Sequence, residues 1–175
     1  MSRNVGIVVL VVVLLSAIGI SFWQVFLRHD SAVPQETFAH AYGLALTDYD
    51  GKEVHLYTFR RKVLVAYAWA SWCTYCGGEL KQLAKLKAQY GDDVQMVAIN
   101  RGESLQVARD FTSKLPDTDG LIYLLDPQDA FFKEIEGYAM PETVFIDSSG
   151  AVTFHQRGPM KLQEVDDKIK ELLAR

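Results

Sequence analysis

The chain has 175 residues, of which 49% are hydrophobic and 23% are charged, and its formal net charge is −4 at pH 7. This length suits one globular domain with a short appendage and is too small for two sizeable cores. Lysine and arginine do not cluster into a basic stripe, so we expect no nucleic-acid partner.

The N-terminal segment predicts a membrane anchor. From Val5 to Leu27 there is no charged residue, and as a helix this run would reach roughly 34 Å, enough to cross a bilayer core. A cleaved signal peptide is the alternative, with Arg3 as its positive end and Gly19–Ser21 as its cleavage site. The apolar run is longer than the about 7 to 15 residues usual in such peptides, which favours an uncleaved, single-pass anchor over residues 1–28.

The rest of the chain is expected to lie outside the cytoplasm. A short tail before the anchor and a large domain after it predict an extracytoplasmic domain, periplasmic or on the outer surface, tethered to the lipid bilayer by the N-terminal helix. Residues 29–42 show no clear periodicity and predict a linker. The domain itself is expected to span residues 43–175.

The domain begins with a predicted hairpin and a buried strand. Short strands at Leu44–Thr47 and Val54–Leu56 flank Asp50-Gly51, which is a turn signal. The continuous apolar run Val63–Ala70 predicts a central strand that is buried on both faces.

Helices and strands then alternate. The helix after the buried strand has its apolar face at Leu80, Leu83, Leu86 and Tyr90 and ends at Gly91. The later elements, in order, are strand Val94–Ile99, helix Ser104–Leu115 with Leu105, Ala108, Phe111 and Leu115 on one face, strand Leu121–Leu125, short helix Asp129–Ile135, strands Thr143–Asp147 and Ala151–His155, and a final helix with the stripe Leu162, Val165, Ile169, Leu172 and Leu173. This order predicts a three-layer α/β domain.

The two cysteines of the chain, Cys73 and Cys76, lie in the stretch SWCTYCGGE. A structural zinc site needs four ligands, and an iron–sulfur cluster needs more thiolates than the chain contains. The histidines do not complete such a set because they are scattered singly, at His29, His40, His55 and His155. We therefore expect no metal and no other cofactor.

A structural disulfide is the remaining alternative to a redox centre. A bridge closing so short a loop would stabilise the fold little, because its entropic benefit grows with loop length. The predicted place, between a buried strand and the first turn of a helix, is where catalytic groups collect in α/β sheets. The helix N-terminus also favours a thiolate, so we expect Cys73 to be the exposed nucleophile and Cys76 the resolving thiol.

The residues around the cysteines resemble the active site of thioredoxin-like proteins. The stretch Trp69–Cys76 carries a WCxxC motif, and Glu79 is similar to a glutamate of the membrane-anchored ResA/TlpA type. The upstream LALTDYDGKEVHL and the downstream Asp126-Pro127 and Met140-Pro141 follow that type in order and spacing. The stretch Pro141–Thr143 resembles the DsbE/CcmG branch.

The resemblance implies a three-layer thioredoxin-like fold, in which helices flank a central mixed sheet, with an N-terminal hairpin and one preceding transmembrane helix. It also implies a membrane-tethered thiol-disulfide oxidoreductase whose substrates are protein thiols and disulfides and whose electron donor is a membrane or extracytoplasmic protein. Apocytochrome c, prepared for haem attachment, is the client that the DsbE/CcmG branch indicates.

The resemblance also assigns roles to further residues. Pro141 is expected to be a cis-proline facing the cysteines, Met140 to pair its backbone with an extended substrate, and Trp72 to flank the nucleophile. Glu79 lies at i+3 from Cys76, on the same helix face, where a partly buried carboxyl group could exchange protons with the thiols. A solvated helix glutamate is the alternative.

Several positions depart from the family pattern. Tyr67 stands where thioredoxin commonly has a buried aspartate, and Lys81 stands where the family often has a helix-kinking proline. Each glycine of Gly77-Gly78 costs a helix on the order of 1 kcal/mol relative to alanine, so the pair would loosen the first turn, permit close approach of a partner, or be neutral variation. Glu142 replaces a frequent threonine and, with Glu79, adds negative charge that opposes thiolate formation. A poorly stabilised thiolate favours the disulfide, so we expect the protein to act as a reductant.

Two other functions fit the same residues. One is a general disulfide oxidase or isomerase of exported proteins. The other is a non-catalytic, membrane-tethered binding module that retains the fold and a static disulfide. The redox potential and the trapping of mixed disulfides through Cys73 in Cys76→Ser would separate an enzyme from the binding module, which should trap nothing specific.

Overall fold

A seven-stranded sheet organises residues 40–175, the part of the chain that the computed structural model describes. In chain order the strands are β1 Leu46–Asp48, β2 Glu53–Val54, β3 Val63–Trp69, β4 Val94–Arg101, β5 Ile122–Asp126, β6 Glu142–Ile146 and β7 Val152–Arg157. Their order across the sheet is β2-β1-β5-β4-β3-β6-β7. The sheet is mixed, because β3, β4 and β5 are parallel while β6, β7, β1 and β2 join their neighbours antiparallel.

Four helices connect or follow the strands: α1 Cys76–Tyr90, α2 Leu105–Thr112, α3 Ala130–Glu134 and α4 Leu162–Leu173. Two 3-10 turns, Leu56–Phe59 and Gly91–Asp93, complete the elements that lie between β1 and the C-terminus. The α1 helix ends at Tyr90 because Gly91 adopts a left-handed φ of 55° and returns its N–H to the carbonyl of Lys87. At the start of α2 the Ser104 hydroxyl accepts the N–H of Val107.

The hydrophobic core has two parts, one on each face of β3. Alternate residues of a strand point to opposite faces, so Val65 and Tyr67 enter one cluster while Leu64 and Ala66 enter the other. The first cluster includes apolar residues of α1, α2 and α4, and the second includes those of α3. Every residue of β3 is buried, as its continuous apolar run predicts. The predicted layers of helix, sheet and helix are confirmed.

The predicted hairpin and the α/β alternation are also confirmed, with shifts of one to three residues at the ends of elements. Two residues of the predicted apolar faces lie elsewhere. Leu105 begins α2 and is 37% exposed, and Leu173 ends α4 and is exposed as well. Both stand at helix ends, where the chain leaves the face that packs on the sheet.

The N-terminal predictions fall largely outside the described residues. The predicted anchor, residues 1–28, lies wholly outside them, and the predicted linker, 29–42, is described only from residue 40. At that point Ala41 and Tyr42 are buried in the second core cluster, so the packed domain includes two residues that the sequence assigned to the linker. Within residues 40–175, no helix combines the length and apolar character required to cross a membrane.

Candidate active site

The sheet brings two distant segments to one end of the molecule. Strand β3 ends at Trp69 and leads into the loop that carries Cys73. Strand β6 runs antiparallel to β3 and pairs Glu142 with Ala68. Pro141, which immediately precedes β6, therefore lies at the same end of the sheet as the cysteine loop. The Met140–Pro141 peptide bond is cis, as the resemblance implies.

The two cysteines form a disulfide, with Cα atoms 5.4 Å apart. Cys76 is the first residue of α1 and is fully buried, whereas Cys73, in the loop before the helix, is 7% exposed. The sequence predicts a more exposed Cys73 than this. Trp72, Thr74 and Tyr75, which neighbour the cysteines, are all exposed. An incoming thiol therefore has more access to Cys73 than to Cys76.

Glu79 lies one turn into α1 and is only 8% exposed. Its Oε1 accepts the N–H of Met160 at 3.1 Å, which ties the helix to the loop between β7 and α4. Burial raises the pKa of the Glu79 carboxyl group to about 7, although the Met160 N–H opposes the rise by stabilising the ionised form. The alternative of a solvated helix glutamate is therefore wrong.

Tyr67 is a neighbour of Glu79, and the sequence analysis did not predict this contact. It is buried in β3, and its hydroxyl group lies close enough to Glu79 to lower the pKa of the carboxyl group, though the two do not meet at standard hydrogen-bond geometry. Burial and the Glu79 charge both raise the pKa of Tyr67. The signal in the sequence is weak here: a hydroxyl-bearing side chain within an apolar strand, at the position where thioredoxin commonly has an aspartate.

Glu103 is a second residue that the sequence analysis missed. Its carboxylate accepts the backbone N–H of Ser71 at 2.9 Å and the Ser71 hydroxyl at 2.5 Å. It also accepts the side-chain amide of Asn100, a fully buried residue near the end of β4, at 2.7 Å. These bonds hold the chain two residues before Cys73. Ser71 and Glu103 are 32 residues apart, so no local pattern could have paired them.

The segment before Pro141 carries the remaining predicted site residue. Met140 is partly buried and packs against both core clusters. Glu142, expected to add negative charge near the thiols, is fully buried, and its oxygens accept hydrogen bonds from Tyr138, Ala139 and His155. The structure therefore brings Cys73, Cys76 and Glu79 together on one loop and helix, and sets Met140 and Pro141 at the same end of the sheet.

An open cleft of about 570 Å³ runs beside Glu79. One wall consists of residues just before and within the first turns of α1, including Tyr75 and Gly78, and the other of Pro159 to Leu162 with Glu164. Within residues 40–175 no three histidine, cysteine, aspartate or glutamate side chains gather into a group that could hold a metal ion. The chemistry that this site offers is that of its thiols and its carboxyl group.

Comparisons with known proteins agree with this chemistry. The thiol-disulfide oxidoreductase ResA of Geobacillus thermodenitrificans is 25% identical over 165 residues, which cover 94% of this chain and 92% of the relative. The thiol:disulfide interchange protein DsbE of Escherichia coli is 27% identical over 111 residues, which cover 63% of this chain and 58% of the relative.

Solved structures share the fold. A secreted Mycobacterium tuberculosis disulfide oxidoreductase homologous to E. coli DsbE superposes with a TM-score of 0.67 at 20% identity, over 76% of this chain and 98% of that chain. An exposed lipoprotein thioredoxin of Streptococcus pneumoniae gives a TM-score of 0.65 at 26% identity, over 74% of this chain and 98% of that chain. The fold is therefore thioredoxin-like. Residues 28–172 match the redoxin family, and the chain belongs to that family as a thioredoxin-like thiol-disulfide oxidoreductase of the ResA/DsbE type.

Proposed function

We propose that the protein reduces disulfides of exported client proteins through Cys73 and Cys76, with Glu79 as the group that exchanges protons with the thiols. The observation that carries the proposal is the Cys73–Cys76 pair at the start of α1, one helical turn from a buried carboxyl group with a pKa of about 7. A group with such a pKa is half protonated at neutral pH, so it can both accept and donate a proton there.

The first step forms a mixed disulfide. In the reduced protein the Cys73 thiolate attacks one sulfur of a client disulfide, so that a Cys73–client S–S bond forms and the client S–S bond breaks. The other client sulfur leaves as a thiolate and takes up a proton. Because Cys76 is more deeply buried than Cys73, the attack is expected at Cys73.

The second step releases the reduced client. Cys76 loses its proton to the ionised Glu79 carboxylate and attacks the Cys73 sulfur, which forms the Cys73–Cys76 bond and breaks the bond to the client. The client sulfur leaves as a thiolate and is protonated. In total, two electrons pass from the two cysteines to the client disulfide, and a membrane or extracytoplasmic dithiol donor must reduce the pair again.

The direction of transfer follows from the charges around the thiols. A low-pKa, strongly stabilised thiolate makes the reduced form stable and the protein an oxidant, whereas a weakly stabilised thiolate makes the protein a reductant. When Glu79 is ionised, its charge opposes negative charge on a neighbouring sulfur. The Thr74-Tyr75 pair between the cysteines adds no positive charge. Both features support reduction rather than oxidation.

The cellular setting is part of the proposal. The uncharged run from Val5 to Leu27 would tether the domain to a membrane, with the redox centre on the extracytoplasmic side. Apocytochrome c is the client we propose, because Pro141–Thr143 follows the DsbE/CcmG pattern and a DsbE protein is among the relatives. The M. tuberculosis structural neighbour is described as secreted, which is consistent with this compartment.

A cysteine trap tests the proposal. With Cys76→Ser, Cys73 can still attack a client disulfide, but the mixed disulfide cannot be resolved. We expect this variant to accumulate covalent adducts that are released by a reductant and that include a protein with a Cys-x-x-Cys-His haem-attachment motif. The matched control is Cys73→Ser, which leaves the buried Cys76 and should accumulate none.

The outcomes separate the rival functions. An oxidase would instead transfer its Cys73–Cys76 disulfide to a reduced client, so the unaltered protein would oxidise client thiols rather than reduce client disulfides, and an isomerase would leave the number of client disulfides unchanged. A binding module would bind the same proteins with and without Cys73. Any of these results would contradict the reductant.

A further inference from the structure

Glu142 holds an unusual position, because a carboxylate follows directly after the cis-proline and is fully buried. Burying a charged group is costly unless hydrogen bonds replace the water that it loses. Here Oε1 accepts the backbone N–H groups of Tyr138 and Ala139, each at 2.7 Å. Those N–H groups belong to an irregular segment between α3 and β6, where no strand or helix would otherwise bond them.

His155 completes the set of donors. It lies on β7, opposite Val144 of β6, and its side chain is fully buried. Its Nε2 lies 2.7 Å from Oε2 of Glu142, and because a carboxylate only accepts, the Nε2–H donates. Its Nδ1 is buried and has no hydrogen-bond partner among residues 40–175. The pair therefore connects the edge strand β7 to the segment before the cis-proline.

That segment, residues 137–140, combines close contacts at one end with open groups at the other. A Cβ atom on Gly137 would lie 2.6 Å from the ring of Phe132, so its chain passes close against α3. The Tyr138 ring is 80% exposed, with the Arg157 guanidinium 5.1 Å from its centre. No hydrogen bond from the described residues reaches the backbone of Met140. The segment thus presents one aromatic ring and one open backbone edge beside the redox centre.

We propose that Glu142 and His155 are positioning residues that set the shape of this segment for binding of an extended client polypeptide. This inference rests on the proposed function, since it assumes that clients bind along Met140. The carboxylate fixes two successive N–H groups, while the Tyr138 ring is exposed and the Met140 backbone has no hydrogen bond from residues 40–175. Holding such an edge in place before binding lowers the entropy that the complex loses. Glutathione, which is too small to span the segment, should be largely insensitive to the pair.

The test compares two substrates of the full-length protein. The client probe is a peptide with an oxidised Cys-x-x-Cys-His motif, and the small probe is oxidised glutathione. We expect Glu142→Ala to raise the KM for the peptide by about tenfold or more, and to change the rate with glutathione by less than about twofold. Glu142→Gln should remain within about threefold of the unaltered protein, because its amide oxygen can accept both N–H groups and its NH₂ can donate to Nε2 of His155 once the ring carries its proton on Nδ1.

The matched control is a second glutamate–histidine pair in the same protein. Glu53 and His55 also form a glutamate–histidine pair, with Nε2 and Oε1 3.0 Å apart, but they lie at the opposite edge of the sheet. Glu53→Ala should change neither activity. Amide hydrogen exchange gives a measurement that needs no variant, since the N–H groups of Tyr138 and Ala139 should be protected in the unaltered protein.

Several results would overturn the inference. One is an unchanged peptide KM in folded Glu142→Ala. Another is an equal loss with peptide and glutathione, which would show a general structural role. Rapid exchange of the Tyr138 and Ala139 amides would show that Glu142 does not hold these N–H groups. This measurement uses the unaltered protein, so it is decisive even if Glu142→Ala fails to fold. Failure of the proposed function is distinct, because the unaltered protein would then reduce neither probe.

Discussion

Glu79 and Glu142 are two buried glutamates at the same end of the sheet, yet their surroundings give them different tasks. Glu142 has both oxygens engaged, with two backbone donors on Oε1 and His155 on Oε2. Among the described residues one backbone donor, Met160, bonds to Glu79, and burial raises the pKa of its carboxyl group to about 7. The Glu142 carboxylate is suited to holding a loop, and the Glu79 carboxyl group is suited to exchanging a proton.

The role of Glu79 leads to a prediction about pH. The unaltered protein should show an inflection near pH 7 in the rate of exchange with a disulfide peptide, because Glu79 changes its charge there. In Glu79→Gln the inflection should disappear, and the rate at neutral pH should fall by about a hundredfold, the lower end of the range for a lost general acid or base. Stopped-flow rates between pH 5 and 9, taken at about unit intervals, would measure both effects.

The control for this experiment is another glutamate of the same cleft. Glu164 lines the cleft beside Glu79 but is exposed, and it accepts the N–H of Lys161 at the start of α4. Glu164→Gln should keep the inflection. If Glu79→Gln also kept it, proton exchange would have to be assigned to another group, and the mechanism above would fail at its second step.

At the scale of elements, the start of α1 is shaped by the helix α2. A Cβ atom on Gly77 would lie 3.3 Å from the Phe111 ring and 3.5 Å from Leu115, and the Phe111 ring packs on Trp69, 5.4 Å between centres. A Cβ atom on Gly78 would meet nothing within 4 Å. The two glycines therefore differ. Gly77 lets the Phe111 ring pack closely against α1, whereas Gly78 leaves one wall of the cleft open.

This difference predicts unequal effects of alanine on stability. Glycine in a helix costs about 0.5 to 1 kcal/mol relative to alanine, so Gly78→Ala should raise the free energy of unfolding by about that amount. Gly77→Ala should gain less, since the Phe111 ring must move, and Gly77→Leu should destabilise by about 1 to 3 kcal/mol through overpacking. Urea unfolding of the variants would measure these changes. Equal gains for both alanine variants would show that Phe111 does not restrict Gly77.

Elements were easier to predict than the contacts between them. The apolar run of β3 and the helical spacing of Leu80, Leu83 and Leu86 are local patterns, and both appear where they were expected. The site residues that the sequence did not reveal depend on partners far along the chain. Glu103 bonds to Ser71 across 32 positions, and Met160 bonds to Glu79 across 81. His155 looked like an isolated histidine because its partner lies on the neighbouring strand.

At the scale of the whole molecule, Glu79 is an ionisable group in a buried position, where an apolar side chain would stabilise the fold more. Glu79 sits on α1, between the sheet and the loop that leads to α4, and burial is the main cause of its raised pKa. Its usual pKa is 4.5, the value expected in the unfolded chain. The native state thus keeps the Glu79 proton over a range of pH in which the unfolded state has lost it.

This difference predicts how the stability of the whole domain depends on pH. Between pH 4.5 and about 7 the native state binds more protons at Glu79 than the unfolded state does, so the contribution of Glu79 to the free energy of unfolding falls as pH rises and stays low above that range. The total loss should be roughly 3 kcal/mol. Glu79→Gln has no charge to bury, so its stability relative to the unaltered protein should rise by a similar amount across the same window. Urea unfolding of both oxidised proteins from pH 4.5 to 8 would measure the difference, since all other titrating groups are shared. Parallel stability curves would show that the native carboxyl group titrates as in the unfolded chain, and Glu79 would then be ionised at neutral pH and unable to act as an acid.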